Sequence, residues 1–325
     1  MMTRERRWRG VATKGVAGSI LLRGMNGMRK MIRSVVVASI VTAFSGVGMA
    51  NAQHSVEVQK LSAEGEHLKA LAMYELLPTK KIGPEARIAA AKSAWALGLN
   101  RQAADEFDAI LRDPQLQPDM RTRLVLSRGV IEYQEERYQE AALFAEKAIG
   151  YMTETSPLRG RAYLLWGQSM MRTGAYPIAH DKFSKALEDV SGADKAEAHF
   201  ALGLVEVKLG KYQEAQKHLE LIPTDHDRTA VAVRMLAAIS LETKQQERAK
   251  FWIEKGRLDH PEAFVDCWGD YGLEQVALAK GDLEEARRLT DQASKRFPPS
   301  DSWLILMQAA LEQAEWMKRD QVSLG

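Results

Sequence analysis

One pattern returns along this chain at intervals of 33 to 38 residues, and it dictates what the chain can fold into. Tyr163-Leu-Leu-Trp-Gly167 runs into Thr173-Gly-Ala-Tyr-Pro-Ile-Ala179 and then Lys182-Phe-Ser-Lys-Ala-Leu187. His199-Phe-Ala-Leu-Gly203 runs into Leu209-Gly-Lys-Tyr-Gln-Glu-Ala215 and then His218-Leu-Glu-Leu-Ile222. Gly129 leads to Glu136-Arg-Tyr-Gln-Glu-Ala141 and Glu146-Lys-Ala-Ile149, and Ala277 leads to Lys280-Gly-Asp-Leu-Glu-Glu-Ala286, Ala293 and Pro298. A chain that repeats at this period builds small helical units that bury their apolar faces only against neighbours. Each position has a physical reading. A helix carries a large apolar residue and then a Gly, whose missing side chain lets the next helix approach. A second Gly ends the helix in a tight turn. A Tyr or Leu two residues later plugs the hairpin. A small Ala marks the crossing of the second helix, an Ala or Ile further on continues its apolar face, and Pro closes the unit.

Aligned on the crossing alanine, the units fall at Ala70, Ala103, Ala141, Ala179, Ala215, Ala249 and Ala286. The pattern resembles the tetratricopeptide repeat family, whose unit carries Trp-x2-Leu-Gly-x2-Tyr, then Ala-x3-Phe and a final Pro. The resemblance covers nearly all of residues 55–325 and implies an all-α, right-handed superhelical solenoid of about seven helix-turn-helix units with a C-terminal capping helix over residues 302–318. Pro78 interrupts the first unit and predicts a short second helix there. The longest spacings predict extra length near residues 151–158 and 190–195. Lys244 stands where the turn Gly is expected.

Two domains are predicted: an N-terminal extension with a signal peptide over residues 1–52, and the solenoid over residues 53–325. Met28-Arg-Lys-Met-Ile-Arg33 is a basic start, residues 34–49 carry no charge, and Ala50-Asn51-Ala52 is the small-x-small pattern of a cleavage site. Cleavage after Ala52 leaves Gln53 first. The apolar run is shorter than the roughly 20 residues that span a bilayer, so no stable membrane insertion is expected after removal. An uncleaved signal-anchor in the inner membrane is the alternative. The true start, at Met1, Met25, Met28 or Met31, stays open, and so does a cytoplasmic adaptor.

Charge argues against nucleic acid. The chain holds 45 basic and 43 acidic residues, but residues 1–52 take nine of the basic and one of the acidic, leaving a net of −6. That remainder has no basic run longer than a pair to displace counterions from phosphates. The lone cysteine, Cys267, excludes an internal disulfide and reads as a small packing residue. No motif for a nucleotide, a metal or an activated nucleophile appears. His180, His199, His218 and His226 are scattered, with His199 at an inward packing position. No catalytic residue, metal or cofactor is expected.

The resemblance implies a concave surface lined by the first helices. Carried onto this chain, its phases give Trp95, Arg123, Leu126, Tyr133, Arg161, Leu164, Gln168, Met171, Arg172, Phe200, Lys208, Arg234, Trp268, Tyr271 and Gln275. Aromatic residues, Met and Arg are what interface centres favour, and the arginines predict a locally basic groove. Trp95, Trp166, Trp252 and Trp303 read as core. The Lys/Asn/Arg carboxylate clamp of some relatives is absent, since Asn100 is the only Asn after the leader. The expected function is a periplasmic, non-catalytic scaffold. It would hold a protein or peptide segment of an envelope complex, in pilus, secretion, polysaccharide-export or cell-wall assembly. A signal-anchored chaperone or adaptor is one alternative, and a groove-using small-ligand binder or enzyme is another.

Overall fold

The computed structural model describes residues 51–78 and 82–323, and among them all regular structure is helical. Two compact units divide the chain between Leu116 and Gln117. The first holds two hairpins, α1 (Asn51–Ala63) with α2 (His67–Glu75), and α3 (Pro84–Ala96) with α4 (Asn100–Leu111). The second begins with α5 (Pro118–Gln134) and α6 (Tyr138–Gly150), α7 (Arg159–Arg172) and α8 (Tyr176–Asp189), and α9 (Gly192–Lys208) and α10 (Tyr212–Glu220). It continues with α11 (Thr229–Glu242) and α12 (Gln246–Asp259), α13 (Trp268–Ala279) and α14 (Leu283–Arg296), and a terminal α15 (Ser302–Ser323). The basic run, the uncharged run and Ala50 lie outside the described residues. Asn51, Ala52 and Gln53 fall in the first turn of α1.

Turn chemistry breaks the helices. Gly65, Gly98, Gly174, Gly210 and Gly281 all take positive φ at the hairpin turns, where a Cβ would be strained. Lys244 adopts the same conformation at φ 57°, and Glu136 at φ 61°. The backbone bonds explain why a side chain is tolerated. Gly210 N–H donates to the Val207 carbonyl at 3.1 Å and Lys211 N–H to the Glu206 carbonyl at 2.8 Å; Lys244 and Gln245 repeat both bonds, to Leu241 and Ser240, at the same lengths. Two satisfied carbonyls at the helix end offset the left-handed cost.

Packing follows the alignment. All seven crossing alanines are fully buried. Opposite them, within each of four hairpins, the first helix gives a small residue and the second a large one. A Cβ on Gly203 would lie 2.7 Å from Leu219, and one on Gly167 2.5 Å from Phe183. The corresponding positions are Ala91 with Phe107 and Ala237 with Ile253, all buried. Burying each large side chain contributes about 1.5–3 kcal/mol. The last hairpin departs from the rule: Glu274 replaces the small residue and accepts a 3.2 Å hydrogen bond from Thr290, which replaces the large one.

Two sequence expectations change in detail. Helix α2 is short, ending before Pro78 as predicted, and residues 151–158 form the long connection. The added length near residues 190–195 is not a loop: α9 starts at Gly192, because Ala193, Asp194 and Lys195 extend it, with Asp194 in the first turn where the helix dipole favours an acid. Helix α15 runs to Ser323, past the predicted end, and seats Leu304, Met307 and Leu311 in the core.

Candidate partner-binding face

The predicted groove residues separate into three groups. Leu164, Phe200 and Trp268 are corrections: they are 6%, 5% and 3% exposed and belong to the core. Leu164 packs with Phe183 and Leu202, and Phe200 with Leu236 and Ile239. Repeat phase sets the direction in which a side chain leaves its helix; the next hairpin then covers Leu164 and Phe200, while Phe264 and Arg234 from the preceding segment cover Trp268. Replacing Phe200 by Leu removes buried carbon and is expected to cost about 1–2 kcal/mol. An unchanged midpoint in a denaturant titration would return Phe200 to the groove.

A second group is tied to neighbouring hairpins. Arg161 Nε donates to Asp194 Oδ2 at 2.7 Å. Arg172 donates to the Tyr138 hydroxyl at 2.7 Å and stacks over its ring, and Tyr133 meets that ring edge-on with centroids 5.3 Å apart. Burial raises the Tyr133 pKa, and the charges of Arg172, Glu197 and Arg228 all reach it, so helices α5, α7 and α9 share this face. Arg234 makes a fork with Asp266 at 2.6 and 3.0 Å, donates to the Ala263 carbonyl at 2.6 Å and stacks on Trp268. The expectation of a basic groove therefore changes: Arg161 and Arg234 are neutralised by acids of the following hairpin. Tyr271 stacks against Trp303, with centroids 5.0 Å apart. The third group comprises Arg123 and Lys208, which are exposed, and Trp95, Leu126, Gln168, Met171 and Gln275, which are half-buried.

No sequence signal marks the polar cluster under the next turn. His199 Nδ1 lies 2.9 Å from His218 Nδ1, so one ring donates and the other accepts. Glu206 Oε1 lies 3.3 Å from His180 Nε2 and 3.6 Å from His218 Nε2. Glu206 is 2% exposed, and its second oxygen has no hydrogen-bond partner. Burial, helped by the charge of Glu214, pushes its pKa up to about 7, and burial lowers all three histidines. Glu132 holds the equivalent repeat position in α5 and behaves oppositely. Burial opposes its charge too, but hydrogen bonds from Arg137 and Arg128 outweigh that and lower its pKa. At Glu206 the matching residues are Lys211, which only reaches it through space, and Leu202, which has no charge. The cluster gathers four groups that can each hold a proton, paired as His199 with His218 and Glu206 with His180. Among the described residues no three His, Cys, Asp or Glu side chains are arranged to hold a metal ion.

Cys267 is buried, with its sulfur 3.7 Å from that of Met307, and burial pushes its thiol pKa up to about 12. A thiol held protonated is a poor nucleophile. No described helix is long and apolar enough to cross a membrane.

Known proteins carry the same architecture. The family model described as "Tetratricopeptide repeat" matches residues 88–157 and 164–226. The fold is similar to that of PilF from Pseudomonas aeruginosa, with a TM-score of 0.51 at 16% identity, covering 65% of this chain and 94% of that one. It is similar to PilW, described as a widely conserved type IV pilus biogenesis factor, with a TM-score of 0.51 at 18% identity over 69% and 98%. A repeat protein of Parabacteroides merdae gives 0.52 at 16% identity over 73% and 88%. No curated protein matches by sequence. At these identities the likeness is one of fold.

Proposed function

From a chain that belongs to the tetratricopeptide repeat family, we propose an exported, non-catalytic scaffold that grips a segment of a partner protein during assembly of a bacterial envelope machine. The observation that carries this reading is the filling of the described residues by stacked hairpins and one terminal helix, with Arg123, Gln168, Arg172 and Lys208 still at least partly accessible along the first helices. Helix-lined surfaces of this kind bind through a few large or bidentate side chains set among neutral contacts. Export is the meaning of the basic and uncharged runs that precede Ala50-Asn51-Ala52. Among envelope machines a pilus is favoured, because a protein of like fold is described as a pilus biogenesis factor.

The test is a crosslinking pull-down from the native envelope with the natural chain and with an Arg123→Glu, Lys208→Glu double variant. Neither residue makes a described ion pair, so the variant is expected to keep its melting temperature. Partner recovery is expected to fall about tenfold, since reversing charges across an interface costs more than deleting them. Undiminished recovery would move the site off the first-helix face, and a mature N-terminus other than Gln53 would overturn the proposed cleavage.

A further inference from the structure

Helices α12, α13 and α14 enclose an open cleft of about 470 Å³ lined by Arg257, Asp270, Leu273, Arg288, Lys295 and Arg296, among others. It is built around Asp270, which is 4% exposed. Its two carboxylate oxygens each take one guanidinium: Arg257 at 2.8 Å on Oδ1, and Arg296 on Oδ2. Gly269 makes the first of these possible, since a Cβ there would lie 2.9 Å from Arg257 Nη2 and force the side chain away. Each guanidinium has five donors in a fixed plane and gives Asp270 only some of them. Those that remain on Arg257 and Arg296 are directed by the buried Asp270, while Arg288 and Lys295 line the cleft beside them. Arg288 is forked to Glu285, and hydrogen bonding from Arg288 lowers that carboxyl's pKa. Lys295 makes no ion pair among the described residues. Four cations thus face two carboxylates, in a chain whose residues 53–325 are net acidic. Leu273 and Leu289 supply apolar lining between them.

We propose that this cleft is a docking site for an acidic peptide segment with interspersed apolar side chains. The open cleft leaves room for an extended chain, and the arginines held by Asp270 match carboxylates at a reduced ordering cost. The four cations of the site lie on the second helices α12 and α14, and none of its lining residues belongs to the first-helix face above, so each reading stands or falls alone.

The test uses the full chain and a fluorescein-labelled peptide alternating Glu with Leu, read by anisotropy. Binding is expected to weaken about tenfold between roughly 50 and 300 mM salt, as screening shortens the reach of exposed charges. A version with Gln for Glu is expected not to bind. The Arg288→Ala, Lys295→Ala variant leaves the Asp270 anchor intact, so it is expected to melt like the natural chain and bind about tenfold more weakly. Three results would overturn the proposal: no salt-sensitive binding of the acidic peptide, equal binding by the double variant, or equal binding of the Gln peptide. Binding of inorganic phosphate without binding of the peptide would also overturn it, and would make the cleft a small-anion site.

Discussion

Glu206→Gln is expected to raise the melting temperature above about pH 7.5 and to leave it nearly unchanged below about pH 4.5. The sign follows from the folded-state pKa. Burial lifts the Glu206 carboxyl to about 7 from its ordinary 4.5. An acid whose pKa is raised on folding costs nothing while it is protonated in both states. Between the two values the unfolded chain ionises and the folded one resists, so stability falls as pH rises through that window. Above it the loss is complete, on the order of 3 kcal/mol for a shift of this size. Gln keeps the shape and the hydrogen-bonding capacity without the charge. Glu274, fully buried and also lifted to about 7 by burial, adds a second fall over the same range. The three histidines act the other way, because folding disfavours their protonated forms and stability drops as pH falls below their ordinary 6.5. A matched pair of thermal melts across pH checks this. A variant no more stable than the natural chain at alkaline pH would mean that Glu206 is already solvated or paired when ionised.

Gly203→Leu is expected to be strongly destabilising, by about 3 kcal/mol. Leucine is the better helix former by nearly 1 kcal/mol, which pulls the other way. Sterics win, because even the first atom of the new side chain would lie 2.7 Å from both Cγ and Cδ2 of buried Leu219. Leu219→Ala in the same chain is expected to recover part of the loss, since it empties the space the new leucine needs. A Gly203→Leu protein that unfolds with the natural midpoint, or that Leu219→Ala weakens further, would show that α9 and α10 do not meet there.

The parts of this architecture written in local spacing were legible. A crossing alanine needs only a small residue at a fixed offset from a turn, and all seven were found. The turns at Glu136 and Lys244 were harder, because their left-handed backbone is stabilised by hydrogen bonds from the chain and leaves no glycine to mark it. The face was legible only in outline. Helical phase could not separate exposed Arg172 from buried Phe200, since burial there depends on where the next hairpin lies. A signal for the ion pairs did exist: Arg161 with Asp194 and Arg234 with Asp266 are each about one repeat apart, so acids one period downstream of each arginine would have indicated neutralisation. The histidine cluster gave no sequence-adjacent sign. His199 and His218 straddle the Gly210 turn and meet only because the two helices run antiparallel.

The pairing of small against large side chains has a consequence for descent. Gly167 with Phe183 and Gly203 with Leu219 each close within one hairpin. A duplication or loss of a whole hairpin therefore carries both halves of the fit together and needs no matching change elsewhere at this contact. Selection can then lengthen or shorten the array in whole steps, while a bulkier residue on one side of the fit needs room made on the other. In the last hairpin both positions differ from the rule together, and Glu274 and Thr290 hold each other by a hydrogen bond.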